Sequence, residues 1–351
     1  MSTQPNSKKR LTEISCMNIL FCLLVIWIHV NSEPIGALDR TGILWNVLFF
    51  LWKGSAFVVQ GFIFLSAFKL FLKNKPMQYG KFYWGRIKQI ILPYILCAAV
   101  YYLYFVIDKY FSYPLSLAAF GKKLLIGNLI SPFYFVIIIS QFYLLMPLWK
   151  LLVNKVRPVW LIGISAVITV VCYLYLPKML ALVGIENFKY NDRVFTTYLI
   201  YWVLGALCGK HYHSLRDQLQ KKKGVIFTTT ILVAGANLTF AYLNARGIFS
   251  LPQLNLLHML YCIAMIFLTL TLFYRVKTLS PFASLLDKSS YYIFLWHCMF
   301  IYLSDLCFRF ILPNNIPPRF VLRTLITYTF TLALCMGYQY LKEKRYQRKR
   351  S

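Results

Sequence analysis

Apolar runs of about 20 residues recur along the whole chain, and each is long enough to cross a hydrocarbon core roughly 30 Å thick. Ten are legible, over 13–31, 43–70, 87–107, 130–151, 157–176, 194–210, 225–244, 254–274, 289–309 and 320–341. No water reaches the bilayer core to satisfy backbone N–H and C=O groups, so each run has to be a helix. The expected fold class is an all-α polytopic membrane protein, about ten transmembrane helices in one bundle. Composition agrees: 59% of the 351 residues are hydrophobic and 14% are charged, against roughly 25% charged in an ordinary soluble domain. The second run is long enough to tilt, or to break near Gly54 or Gly61. The amphiphilic stretch 108–129 suits a short interfacial helix.

The 38 Lys+Arg outweigh the 10 Asp+Glu, giving a net charge of +28. That excess does not point to nucleic acid, because the basic residues sit in short clusters between the apolar runs. Cytoplasmic loops have this pattern, and such clusters meet anionic headgroups favourably. An even span number leaves both basic ends inside: Lys8, Lys9 and Arg10 at the start, KEKRYQRKR at the end. Both termini are therefore expected in the cytoplasm, with a polar segment over 1–12, a transmembrane domain over 13–341 and a basic tail over 342–351. No small-x-small cleavage site follows the first run, so it reads as an uncleaved span. A multi-pass protein of the cell membrane, the bacterial plasma membrane, is the expected location.

The nine cysteines are scattered and none has CxxC spacing. Most lie inside the runs, where Cys behaves as a small apolar residue, and neither a disulfide framework nor a metal site is expected. His211 and His213 stand two apart, on opposite sides of a helix, with no acidic or Cys cluster beside them. GxGxxG, Walker A, HExxH and GxSxG are absent from the sequence, which removes support for soluble-type nucleotide hydrolysis, zinc proteolysis and the serine elbow.

Polar groups inside apolar runs are then the functional clues. His29 closes the run LLVIWIH, and Glu33 follows four residues on, just before Pro34. An imidazole there is either a packing residue or a general base facing a polar pocket, since its ordinary pKa of about 6.5 suits proton exchange. Glu33 is placed to orient that ring. In KFYWGRIKQIILPY, Lys81, Arg86 and Lys88 read either as a positive-inside flank or as a phosphate site. Guanidinium binds phosphate oxygens in pairs and lysine adds point charge, while Tyr83 and Trp84 offer stacking for a flat base. In SPFYFVIIISQFYLLMPL, Tyr134 and Gln141 lie two turns apart on one face, with Ser140 and Tyr143 nearby. In LDKSSYYIFLWHCMFIY, His297 lies deep in the run, with Ser290 two turns earlier on the same face.

These segments, in this order, resemble the acyltransferase-3 family, integral membrane enzymes that mostly modify cell-surface carbohydrates. LLVIWIH looks like the family's first helix with its terminal histidine, and VVQGFIFLSAF like its Phe-rich segment. RIKQIILPY looks like its Arg-x-x-Arg…Pro segment, YFVIIISQFYLLMPL like its fourth-span segment, and SSYYIFLWH like its Ser-Tyr-x-x-Tyr-Leu-x-His. Three positions depart from the pattern: Asn18 stands where many members carry arginine, Gln89 replaces the second arginine of the pair, and Ser66-Ala67 replaces Ser-Gly.

The resemblance implies acyl transfer from cytoplasmic acyl-CoA, acetyl-CoA first, to a hydroxyl of an envelope carbohydrate, without a metal. It implies His29 as base, supported by Glu33 and His297. It also implies Arg86, Lys88 and Tyr83 at the donor, and Tyr134, Gln141, Tyr143 and Ser290 lining the pocket. The expected partners are the bilayer, acyl-CoA, the carbohydrate and a separate envelope transferase or polymer synthase. Two rival readings use the same polar interior: a transporter of a surface glycan or its lipid-linked intermediate without covalent chemistry, and a sensor or structural protein.

Overall fold

The computed structural model describes residues 11–73, 76–108, 113–251, 253–312 and 315–348. Most of the expected polar segment 1–12 and the last three residues of the basic tail lie outside these. The described residues are helical, with no strand among them. In chain order the helices are α1 (Thr12–Val30), α2 (Ser32–Ala37), α3 (Ile43–Gly54), α4 (Val58–Phe71), α5 (Tyr79–Arg86), α6 (Leu92–Ile107), α7 (Leu117–Ile126) and α8 (Tyr134–Leu144). They continue with α9 (Met146–Lys155), α10 (Pro158–Leu182), α11 (Leu199–Lys210), α12 (Tyr212–Lys221), α13 (Lys223–Ala245), α14 (Leu254–Phe273), α15 (Pro281–Ile311) and α16 (Ile316–Arg348).

Eight helical segments among the described residues are long and apolar enough to span a membrane, or nine if the bent pair Leu117–Ile126 and Ser131–Leu144 counts as one span. The chain is a multi-pass membrane protein. Two of the ten apolar runs differ from the straight spans they suggest. The run over 194–210 yields only α11, preceded by 3-10 turns. Its 12 residues rise about 18 Å, short of the hydrocarbon core. The run over 130–151 breaks at Leu145, between α8 and α9. Pro147 follows that break, has no N–H to donate and crowds the carbonyl four residues back. The second run breaks after Gly54, as its length suggested. The amphiphilic stretch after residue 108 holds α7, capped by the Ser116 hydroxyl accepting from the Ala119 N–H.

By contact density the chain forms two compact units, Met1–Val58 with Arg216–Ser351, and Val59–Leu215. In the first unit α1 packs against α14, α15 and α16, and α15 packs along α16. Met17, Phe21, Ile26 and Val30 face different sides of α1, and all four are fully buried. α15 starts where Ser280 accepts from the Ala283 N–H and Pro281 takes the first helical position, where its missing N–H has no partner to lose.

In the second unit, Gly205 and Gly209 of α11 let that helix lie directly on the backbone of α4. A Cβ on Gly205 would stand 2.3 Å from the Phe64 carbonyl oxygen, and one on Gly209 2.4 Å from that of Phe68. Small residues four apart allow such close approach in apolar surroundings. Between α5 and α6 the backbone makes one π-helical stretch, Ile87–Ile91. Pro93 cannot donate to the residue four back, and widening the preceding turn keeps the helix continuous. The turn lies directly after Arg86.

Candidate functional site

The end of α1 is shaped by local side-chain bonds. The Asn31 amide donates to the Trp27 carbonyl at 2.7 Å, and the Ser32 hydroxyl to the His29 carbonyl at 2.8 Å. α1 stops one residue beyond His29, and α2 begins at once with Glu33 in its first turn. His29 is half-buried. Its ring nitrogens have no hydrogen-bond partner among the described residues, which leaves a lone pair for a substrate proton.

α15 runs beside α1 and brings His297 to it, with ring centroids 5.2 Å apart. His297 is fully buried. Its Nδ1 lies 3.1 Å from the Ile293 carbonyl oxygen. A carbonyl only accepts, so a neutral His297 carries its proton on Nδ1 and keeps the Nε2 lone pair. That Nε2 lies 3.3 Å from Sγ of Cys298. One ligand atom from each of His29, His297 and Cys298 lies within 4.8 Å of the others. Two imidazoles and a thiol are also a donor set that zinc accepts, so these three are the residues that would hold a metal.

Glu33 is engaged elsewhere than on the His29 ring. Its Oε1 pairs with Nη2 of Arg319 at 2.7 Å, and its Oε2 with Nη1 of Arg323 at 2.8 Å. Arg323 reaches on to Oδ2 of Asp305 at 3.2 Å. This buried guanidinium ties α16 to both α2 and α15. Sequence reasoning missed Arg323 because it stands near the start of an apolar run and looks like a flank. Its spacing of four from Arg319, within a helix that continues well before it, was the available signal. Cys298 was missed because buried cysteines usually only pack. Its place directly after a mid-helix histidine was the signal there.

Ser290 lies seven residues before His297, roughly 10 Å along the helix, in a different polar cluster. The Asn18 amide donates to Oδ1 of Asp287 at 2.7 Å and to the Ser290 hydroxyl at 2.8 Å. The Ser15 hydroxyl donates to Oδ2 of Asp287 at 2.8 Å, and the Ser290 hydroxyl donates to the Asp287 carbonyl. A buried carboxylate is thus met by neutral donors from α1, Asn18 among them. The departure from arginine at that position leaves Asp287 hydrogen-bonded.

The other six candidates belong to the second unit. The Arg86 guanidinium lies over the Phe82 ring at 5.1 Å and the Tyr143 ring at 5.2 Å, so Arg86 and Tyr143 come together. Its Nε is buried without a hydrogen-bond partner among the described residues. The Tyr83 hydroxyl donates to the Leu144 carbonyl at 2.9 Å. The exposed Lys88 places its ammonium 4.7 Å from the Trp84 ring. Gln141 is occupied at both ends: Nε2 donates to the Arg193 carbonyl at 2.7 Å, and Oε1 accepts from the Phe195 N–H at 3.0 Å. Tyr134 begins α8, two turns before Gln141 on the same helix.

The chain matches the acyltransferase-3 family, described as an acyltransferase domain, over residues 11–338. A protein of Bacillus subtilis (strain 168) named "Putative membrane-bound acyltransferase YfiQ" is 26% identical over 322 residues, covering 88% of this chain and 84% of its own. No solved structure matches the chain.

Proposed function

This chain is a member of the acyltransferase-3 family and a membrane acyltransferase, and from that premise we propose that it moves an acyl group, acetyl first, from acyl-CoA to a hydroxyl of an envelope carbohydrate. The single observation that carries the proposal is the pairing of a half-buried His29 with the buried His297 at the meeting of α1 and α15. An imidazole with an uncommitted nitrogen, backed by further polar groups in apolar surroundings, is suited to accept a hydroxyl proton. The acceptor oxygen then attacks the acyl carbonyl carbon as the C–S bond of its thioester breaks. The proton held by His29 returns to the departing thiolate, and the products are an ester and free CoA. Glu33 contributes by holding Arg323, whose fixed positive charge favours the developing oxyanion.

Donor binding is assigned to Arg86, Lys88 and Tyr83. The basic pair suits the phosphates of CoA, and the aromatic rings around it suit adenine. Tyr143 steadies Arg86 by cation–π contact. Tyr134 and Gln141 are assigned as positioning residues in the second unit, and Ser290 as one in the first. Both termini are placed in the cytoplasm of a bacterial cell by the clustering of basic residues, with the donor on that side. A separate envelope transferase or polymer synthase carries the product onward.

The test is transfer of label from radioactive acetyl-CoA to envelope carbohydrate in membranes holding the wild-type chain or His29→Ala, at matched protein level. Wild-type membranes should label, and the variant should fall by about 10²–10⁴. Equal labelling would remove His29 from the chemistry. Glycan movement across the membrane without any acyl donor would instead mark a transporter.

A further inference from the structure

We propose that Cys298 carries the acyl group as a thioester between donor and acceptor, with His297 as the base that frees its thiol. The proposal rests on the reading above that the donor is a CoA thioester, and it adds a covalent step at a residue with no role in that reading.

The geometry supplies the parts of an activated thiol. A cysteine attacks as thiolate, and an adjacent base held by a third group is the usual means of making one. His297 Nε2 lies 3.3 Å from Cys298 Sγ. The Ile293 carbonyl on Nδ1 fixes the tautomer whose Nε2 accepts the thiol proton. A cysteine buried only for packing needs no such acceptor. Both residues are buried while His29 is half-buried, and one ligand atom of each of the three lies within 4.8 Å of the others. One atom reaches the acyl carbon while another takes a proton from its attacker.

The chemistry balances without a further reagent. In the first half-reaction Sγ of Cys298 attacks the acyl carbon of acyl-CoA, its proton passing to His297. The C–S bond to CoA breaks, and CoA leaves as a thiol with that proton. One thioester replaces another, so little free energy changes. In the second half-reaction the acceptor oxygen attacks the Cys298 thioester while His29 takes the hydroxyl proton. The bond to Sγ breaks, and the thiolate is reprotonated from His29 through His297. Splitting the reaction frees the two substrates from having to occupy the membrane interior together. Cys298 is deep in α15, 17 residues from its start and 13 from its end.

The experiment uses the full-length chain in detergent with radiolabelled acetyl-CoA and no acceptor, quenched in acid. Wild-type protein should hold label approaching about one acetyl per chain. The label should be released by neutral hydroxylamine and found by mass spectrometry on the peptide containing Cys298. His29→Ala should keep that label, because only the second half-reaction needs His29. Cys298→Ala should lose it and should slow transfer to carbohydrate by on the order of 10² or more. The wild-type peptide mass needs no variant, so misfolding of Cys298→Ala does not blunt the test. Three results overturn the proposal while leaving the CoA-dependent reading standing: label on another residue, wild-type transfer by a folded Cys298→Ala, or a tightly held zinc that disappears with Cys298→Ala. Absence of transfer from acetyl-CoA by wild-type membranes overturns that reading, and the proposal with it.

Discussion

Replacing Arg323 with glutamine should destabilise the protein more than removing any other exposed or buried cation of the first unit, because of what it leaves behind. The side chain is 5% exposed and bonds two carboxylates, Glu33 at 2.8 Å and Asp305 at 3.2 Å. At an effective dielectric of about 20 the gross attractions are about 6 and about 5 kcal/mol. Most of that offsets the cost of taking three ions out of water, so the pairs add little net stability over a well-packed apolar core. Removing only the cation is different, since Asp305 then keeps its burial without its guanidinium, and the expected loss is about 3–5 kcal/mol. Glu33 retains Arg319, so most of the loss belongs to Asp305. Unfolding by SDS titration from mixed micelles reads the difference. Adding Asp305→Asn to Arg323→Gln should return at least about half of the loss, because the orphaned charge is gone. Arg319→Gln should lose less, its side chain being 14% exposed against 5% for Arg323. Unfolding of Arg323→Gln indistinguishable from wild type, or no recovery in the double variant, would refute the reasoning.

Gly205→Ala should cost about 1–3 kcal/mol, since the new Cβ meets the Phe64 carbonyl at 2.3 Å; Gly235→Ala, with nothing within 4 Å, is the matched neutral substitution in the same thermal assay. Asn18→Leu should lose about 1–3 kcal/mol in that assay by leaving the buried Asp287 carboxylate short of a donor. It should be worse than Ser15→Ala, which removes one bond where Asn18 supplies three contacts. Arg86→Gln should raise KM for acetyl-CoA on the order of tenfold, the worth of one charge-assisted hydrogen bond, with kcat little changed. A fall in kcat at unchanged KM would move Arg86 from donor binding to the reaction step.

The apolar runs made the helices legible, because lipid leaves the backbone no alternative. The interruptions were harder to read. Pro147 breaks its run outright, whereas Pro93 is absorbed by a widened turn, and the difference depends on neighbours that a single sequence does not display. His29 and His297 stood out because an imidazole is costly in an apolar run, and the structure brings those two together. Glu33 was singled out as a partner of the His29 ring, and the structure gives it other neighbours. Four residues from His29 suggests one helical face, yet the turn at Asn31 and two arginines about 290 positions away take the carboxylate instead. Charges so far apart in sequence carry no local signal of their pairing. For Cys298 the signal was its place directly after a mid-helix histidine, but the proposed chemistry also depends on which nitrogen of that histidine carries the proton.

The first unit joins residues before 59 to residues after 215, which fixes an order of events at the ribosome. Helix α1 is made before the rest of its unit and enters the bilayer carrying Ser15, Asn18 and His29, with Glu33 close behind. The partners of its amide and of Glu33, Asp287 and Arg323, follow 269 and 290 residues later. Residues 59–215 can finish their own contacts in the interval, while the polar groups of α1 wait. A nascent chain stalled before α15 therefore holds a polar first helix with nothing to answer it, the form that membrane quality control removes. The charged clasp at Arg323 closes only once α16 has been made.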